Sequence, residues 1–391
     1  MSLRRTAIVA HPYWGRGGAE SAALWIVEAL LRDFDVTVYT RGGFDLTELN
    51  RLADLDISPS RIEIRIAESA NSWPLGALAH GAFLRSLREV GDPYDLRVTA
   101  SGVLHWGLPA LHFLSSAIWN DVLADGFDAP GAPRRRSAVQ ATAWRMGVRM
   151  SQQRLRSLQT DLFVANSEWT ARHSSPYCPG QIEVVAPAVP LHPAGPGWQA
   201  RDSGVLVFGR VSPEKRIEIC IEIVDKLRAA GFPLRLCIAG PDTEGRYREQ
   251  VASLCRARSA WIERVSLVTG TDKRRLLGRF RYGLSACAIE AFGIATAEMA
   301  AEGMVILAPA EGAQSEILRD PMLIYRSTED AVARFAHILC HDTEQVRLHQ
   351  LALASRARFA PERFITEVRA IAKRFASGQR NAAGQQTGAG T

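Results

Sequence analysis

Three segments combine glycine with charge at places where an apolar run gives way to a helical pattern. In Phe208-Gly-Arg-Val-Ser-Pro-Glu-Lys-Arg216, Arg210 and Lys215 stand on either side of a turn, and Pro213 suits a first helical position. Arginine grips a phosphate with two parallel N–H bonds, and lysine adds a point charge. The alternative is a pair of solvated charges at a helix start; the place after a strand favours phosphate. In Glu290-Ala-Phe-Gly-Ile-Ala-Thr-Ala-Glu298, Gly293 breaks the chain before a helix whose early turns carry the second glutamate. Free N–H groups over 293–295 suit anionic oxygens, and the two carboxylates suit hydroxyls such as those of a sugar and a ribose. Acidic residues near a helix start also arise for the dipole alone, so both readings stand. In His11-Pro-Tyr-Trp-Gly-Arg-Gly-Gly-Ala-Glu20 the glycines allow close backbone approach. Their spacing is neither a dinucleotide fingerprint nor a Walker A loop, and a plain strand-to-helix turn explains it as well.

The elements that must position these residues follow one grammar. Short apolar runs at 6–10, 35–39, 62–66, 96–100, 110–113, 162–165 and 182–185 alternate with helical patterns at 20–31, 81–90, 137–158 and 169–174. The grammar restarts with runs at 205–208, 234–239, 262–268, 283–287, 305–308 and 323–325 and a helix over 214–230. Such alternation predicts parallel sheets with crossover helices. The segment 190–204, rich in Pro and Gly, reads as the linker between two halves. Helical patterns run to about 376, and the polar stretch 377–391 is expected to be a disordered tail. Ligands of open α/β sheets bind beyond the carboxyl ends of the strands, which places the expected site in a cleft between two Rossmann-like domains.

Composition narrows the class. At 391 residues, 47% hydrophobic and 23% charged, the chain fits two or three globular domains and excludes extended disorder. A net charge of +6 is small for this length, and no basic motif interleaved with aromatics points to nucleic acid. Six scattered cysteines without a CxxC pair suit buried free thiols in a reducing compartment. The apolar run near the start is too short for the core of a signal peptide. The uncharged stretch 98–120 contains too many polar residues and a proline for the roughly 20 apolar residues of a membrane span. A cytoplasmic protein is expected.

The segments together resemble retaining family 4 glycosyltransferases (glycosyl transferases group 1), which have the GT-B fold. The match rests on Glu290 and Glu298 around Phe-Gly-Ile, on Gly17-Gly18-Ala-Glu20, on Val164-Ala-Asn-Ser-Glu-Trp-Thr-Ala171, and on Gly209-Arg210 with Pro213-Glu-Lys215. It spans about residues 5 to 375. The resemblance implies an α/β GT-B architecture: a first domain over 1–193, a nucleotide-sugar-binding domain over 203–360, and a helix over 361–376 that crosses back to the first. It implies that Arg210 and Lys215 bind the donor diphosphate, Glu290 the transferred sugar and Glu298 the ribose. Phe292, Gly293 and Ile294 would line the sugar–diphosphate, Gly17 and Gly18 would close that pocket, and His112 would match a histidine facing the donor sugar. Ser285 stands where relatives often carry histidine, and Glu311-Gly312-Ala313 replaces paired glycines.

The implied activity is transfer of a sugar from a nucleoside-diphosphate sugar (GDP-mannose or a UDP-sugar) to a glycan, lipid-linked or small-molecule acceptor. The donor serves as substrate, no cofactor or metal is expected, and the enzyme would be metal-independent. A nucleotide-sugar epimerase or hydrolase of the same fold and a non-catalytic binding protein are the competing readings. Location turns on 133–160, where seven arginines occur without an acid and with apolar residues interspersed. Either this is a crossover helix with solvated arginines, or it lies peripherally on the anionic inner face of the membrane.

Overall fold

The computed structural model describes residues 4–67, 76–116, 138–152, 159–192, 195–242, 245–266 and 268–388. The chain divides into two compact units, one of Met1–Pro187 with Glu362–Thr391, the other of Ala188–Pro361. The first contains β1 (Arg5–Ala10), α1 (Gly18–Leu30), β2 (Phe34–Thr40), α2 (Leu46–Ala53), β3 (Ile62–Ile66), α3 (Gly76–Val90), β4 (Leu96–Thr99), β5 (Leu111–Leu114), α4 (Ala138–Ser151), β6 (Leu162–Ala165), α5 (Glu168–Ser174) and β7 (Ile182–Val184). Its strands form a parallel sheet in the order β3-β2-β1-β4-β5-β6-β7. Ala7 to Ala10 are fully enclosed, which is why the central strand reads as an unbroken apolar run rather than an alternation.

The second unit contains β8 (Asp202–Phe208), α6 (Ile217–Ala229), β9 (Leu236–Ala239), α7 (Arg246–Arg256), β10 (Ile262–Val265), α8 (Gly270–Arg279), β11 (Phe280–Leu284), α9 (Ile294–Ala301), β12 (Val305–Pro309), α10 (Gln314–Leu318), β13 (Ile324–Tyr325), α11 (Thr328–Cys340) and α12 (Asp342–Ala354). Its parallel sheet runs β10-β9-β8-β11-β12-β13. Strand order therefore reverses beside β1 in the first unit and beside β8 in the second. At such a reversal the loops leaving neighbouring strands turn to opposite faces, and a crevice opens at the carboxyl ends.

Three expectations need correction. The run 190–204 is not a free linker: it belongs to the second unit. Trp198 is buried edge-on against Tyr282, Arg281 donates to the carbonyls of Trp198 and Gln199, and Val189 N–H bonds the carbonyl of Phe359. The strand expected over 283–287 lies three residues earlier. Phe280, Tyr282 and Leu284 point into the core while Arg281 points out, so charge at alternate positions hides a strand. The third concerns the tail. A last helix, α13 (Pro361–Gly388), continues through most of 377–391. Alanine and glutamine there favour helix. Ser377 accepts from Arg5, and Gln379 accepts from Arg97 at 2.5 Å and donates to the Pro109 carbonyl.

α13 returns the chain to the first unit, burying Phe364, Val368, Ile371, Ala372 and Ala376 at helical spacing. Its polar anchor is Asp33, just after α1, which accepts two hydrogen bonds from Arg369 (2.7 and 3.1 Å) and pairs with Lys373 at 2.8 Å. Of the six free cysteines, Cys340 is exposed and the others are buried. Among the described residues no helix is long and apolar enough to cross a membrane.

The Arg369 hydrogen bonds, helped by Lys373, hold the Asp33 carboxyl at about 2, below its ordinary 3.8. A lowered carboxyl pKa stabilises the fold above the unfolded value, and the contribution fades as pH falls towards 2. Discounted for solvent screening, it is ~1–2 kcal/mol. Asp33→Asn should thus lower Tm by about 2–4 °C at pH 7, and the gap to the parent should close between pH 4 and 2. A gap unchanged at pH 2 would show that the loss is packing rather than charge.

Candidate active site

The strand reversal beside β8 brings together the loop after β8 and the loop after β11. Gly209 and Gly240 make the first loop possible. Both have positive φ, and a Cβ on Gly240 would lie 2.0 Å from the Gly209 carbonyl oxygen. The loop is stitched to its neighbour by Gly209 N–H on Ala239 O and Val211 N–H on Pro241 O, both 2.9 Å. A 3-10 turn, Pro213–Lys215, follows, and Arg216 at φ 49° starts α6. The helix expected over 214–230 is thus two pieces, and the break turns Arg210 and Lys215 towards one pocket. Gly209, Arg210, Lys215, Ser285, Glu290 and Thr296 are among its lining residues.

Arg210 is about half exposed, 3.8 Å from Glu214. The ammonium of Lys215 is hydrogen-bonded to Oε2 of Glu290, with both side chains about a quarter exposed or less. Burial works against the charged lysine, but the Glu290 carboxylate outweighs it and holds the pKa above its usual value. Lys215 is therefore a permanent cation at neutral pH, and the pocket holds one ion pair beside the half-exposed guanidinium of Arg210. Cys287, beneath them, is pushed up to about 11, mainly by burial, so its thiol is protonated.

The Glu290 loop is braced from below. Gly293 has φ 98° and forms the N-cap of α9 with no side chain covering it, so the first N–H groups of that helix are open. Gln314 accepts from the Thr296 hydroxyl at 2.8 Å and donates to the Cys287 carbonyl at 3.0 Å. Ala313 N–H bonds the Glu290 carbonyl at 2.8 Å. Gly312, at φ 79°, lies so close that a Cβ would come within 2.9 Å of the same oxygen. The segment where Glu311-Gly312-Ala313 replaces paired glycines thus fixes the backbone of Glu290. The Phe292 ring is buried edge-on against Phe359 and is not among the residues that line the pocket.

Glu298 lies one turn into α9 and receives a hydrogen bond from Lys273 at 3.0 Å. Neither Lys273 nor Gln314 was singled out in the sequence. Lys273 shares a helical face with Leu276 and Leu277, both buried, which is a legible sign that it points inward. Gln314 carries no comparable sign.

The remaining expected residues belong to the first unit. Gly17 is the N-cap of α1, again without a side-chain cap, but the Glu20 carboxylate folds back over the loop. A Cβ on Gly17 would meet it at 2.7 Å, so an anion reaches Gly17 and Gly18 only if Glu20 swings aside. His112 departs from its expected place. It sits within β5, fully enclosed, stacked on Phe163 at 5.3 Å, with Nε2 3.5 Å from Asp161. Asp161 precedes β6, so the ring faces the amino end of the sheet, away from where ligands bind. A strand pattern cannot say which edge a buried side chain leans towards. His11 follows β1 at the carboxyl end, and burial lowers it to about 4, leaving it neutral near pH 7.

Residues 202–342 match the family described as Glycosyl transferases group 1. No curated protein sequence matches the chain. Among solved structures, HepE of Anabaena in complex with UDP and glucose is similar with TM-score 0.65 and 15% identity, over 93% of this chain and 98% of that one. Sucrose-phosphate synthase of Thermosynechococcus elongatus gives 0.68 and 14%, over 96% and 100%. WaaG, a glycosyltransferase involved in lipopolysaccharide biosynthesis, gives 0.65 and 13%, over 93% and 99%. These likenesses establish the GT-B fold.

The brace is testable without substrate. Gln314→Ala leaves a buried hydroxyl and carbonyl unpaired at ~1–3 kcal/mol. Thermal unfolding should register the loss, and hydrogen exchange of amides over 287–297 should rise while that of β8 does not. Unchanged exchange there would remove Gln314 from the support of Glu290.

Proposed function

We propose that this enzyme, whose second unit carries a group 1 glycosyltransferase domain over 202–342, transfers a sugar with retention from a nucleoside-diphosphate sugar to a hydroxyl acceptor. The observation that carries the reading is the convergence of Arg210, the Lys215–Glu290 pair and the open N-terminus of α9 on one pocket. When the bond from the sugar carbon to the diphosphate breaks, its electron pair leaves with the diphosphate. The growing charge needs donors already in place, and arginine, lysine and helix N–H groups are such donors. Their positive charge suits the role a divalent ion plays elsewhere, so metal independence belongs to the proposal. Glu290, held by Lys215, keeps lone pairs for a sugar hydroxyl, and Glu298 does so for the ribose. The complexes of HepE with UDP and with UDP-glucose favour a UDP-sugar over GDP-mannose.

Lys215→Ala and Arg210→Ala should each lower turnover about 100–1000-fold with small changes in Tm. Glu298→Ala should raise the donor KM more than it lowers kcat. Nucleotide release with a panel of nucleotide sugars, with the anomeric configuration of the product read by NMR, is the measurement. Free sugar or an epimerised nucleotide sugar as sole product would replace transfer by hydrolysis or epimerisation. An inverted product would end the retaining part, and EDTA-sensitive turnover restored by a divalent ion the metal-free part.

The acceptor reading rests on α4. Its partner is α3, at a crossing so close that a Cβ on Gly81 would lie 2.3 Å from the Gly147 carbonyl. The opposite face shows Val139 (67% exposed) and Met146 (54%) beside exposed Thr142, Arg145 and Arg149. Apolar and basic side chains sharing an exposed helical stripe suit an anionic membrane surface, where each basic residue adds ~1 kcal/mol. The triple arginine Arg134, Arg135 and Arg136 and the arginines 154 and 156 lie outside the described residues. We assign the enzyme a lipid-linked or membrane-borne glycan acceptor on this basis. Co-sedimentation with anionic vesicles should be weakened by salt and by Arg145→Glu with Met146→Glu. Absence of binding at low ionic strength would leave a small-molecule acceptor.

A further inference from the structure

Glu298 is not the only charged group in its surroundings. Lys273 is 5% exposed and sits in the first turn of α8, where the helix dipole disfavours a cation. Burial also costs an ammonium its hydration. The neighbours of Lys273 on the same helical face, Leu276 and Leu277, are apolar and buried. Its ammonium donates to Oε1 of Glu298 at 3.0 Å, with the two side chains 7% and 12% exposed. The Lys215–Glu290 pair is more open, at 25% and 20%. Lys215 can therefore meet a phosphate, whereas Lys273 is too enclosed to do so and acts through its glutamate.

We propose that Lys273 is a positioning residue for donor recognition: it occupies Oε1 of Glu298 and so turns Oε2 towards the paired hydroxyls of the nucleotide ribose. The inference rests on the reading of Glu298 given above. Its position supports it, because Glu298 lies four residues beyond Ile294, about 6 Å along α9 from the open N–H groups. A carboxylate free to rotate accepts one hydroxyl as readily as another, whereas a fixed one discriminates by whether both hydroxyls are present. The Lys273–Glu298 pair thus makes the site selective for ribonucleotides over 2′-deoxyribonucleotides.

Titration calorimetry on the full chain with UDP, GDP and their 2′-deoxy counterparts tests this. The parent should bind one ribonucleotide about tenfold or more tightly than its 2′-deoxy form, in line with a hydrogen bond to a charged group. Lys273→Met should weaken that ribonucleotide by a similar factor and bring the ratio of the two affinities close to one. Lys273→Arg should keep most of the preference. In steady-state kinetics the Lys273→Met loss should fall on the donor KM far more than on kcat. Glu298→Gln separates the two levels of failure. If it leaves ribonucleotide affinity unchanged, the ribose assignment of Glu298 is wrong. If it weakens affinity while Lys273→Met preserves both affinity and ratio, Lys273 has no positioning role. Should Lys273→Met lose its cooperative unfolding transition, Lys273→Gln, which keeps a hydrogen-bond donor of similar length, replaces it under the same criteria.

Discussion

The candidate site depends on one topological constraint, the reversal of strand order beside β8. In a parallel sheet every strand ends at the same edge, and right-handed crossovers carry each connection to one face or the other. Where the order reverses, adjacent strands send their loops apart, and nothing in the sheet fills the gap. The loop carrying Arg210 and Lys215 leaves β8 on one side of that gap, and the loop carrying Glu290 leaves β11 on the other. Residues 75 positions apart in sequence become an ion pair for this reason alone.

The ion pair shows how charge is kept usable. Burial works against a charged lysine, and the Glu290 carboxylate beside it keeps Lys215 charged. Partial exposure keeps this from becoming a closed structural bridge, since Lys215 and Glu290 both retain hydrogen-bonding capacity towards the pocket. The rigidity comes from below, where Gln314, Ala313 and Gly312 hold the backbone that carries Glu290. A loop fixed by backbone contacts lets its carboxylate serve a ligand instead of its own fold.

Much of this arrangement was legible in the sequence, and the gaps have physical causes. Enclosed strands such as β1, β9 and β12 announced themselves by apolar runs, because strands enclosed on both faces leave no room for polar residues; β11, disguised by Arg279 and Arg281, was displaced by three residues. Of the motif residues, Arg210, Lys215 and Glu290 line one pocket of the second unit, while Gly293 caps α9 and Glu298 lies one turn along it. The brace through Gln314 was invisible, because a single glutamine at a helix start has many uses and only the fold shows which carbonyl it meets. His112 failed for the opposite reason. A histidine in an apolar strand signals an unusual residue but not the direction of its ring, and the ring turns to Asp161 at the far edge of the sheet. The tail was misjudged because low hydrophobicity argues against a core yet not against a helix anchored at Ser377 and Gln379.

The two units treat their strand reversals differently. In the second unit the open helix end is braced, glycine-shaped and flanked by the Lys215–Glu290 pair and the half-exposed Arg210, a geometry that suits an anionic group. In the first, the corresponding loop after β1 is overlaid by the Glu20 carboxylate and surrounded by aromatic rings, with Trp14 stacked on Phe44 at 4.6 Å and Tyr13 beside His80. A negative group and aromatic faces suit neutral hydroxyl-bearing ligands better than phosphates, since the carboxylate repels an anion from the N-terminus of α1. The first unit keeps the parallel sheet and its crossovers, which packing dictates, while the loop at its carboxyl edge presents a carboxylate and aromatic faces instead of cations and open N–H groups.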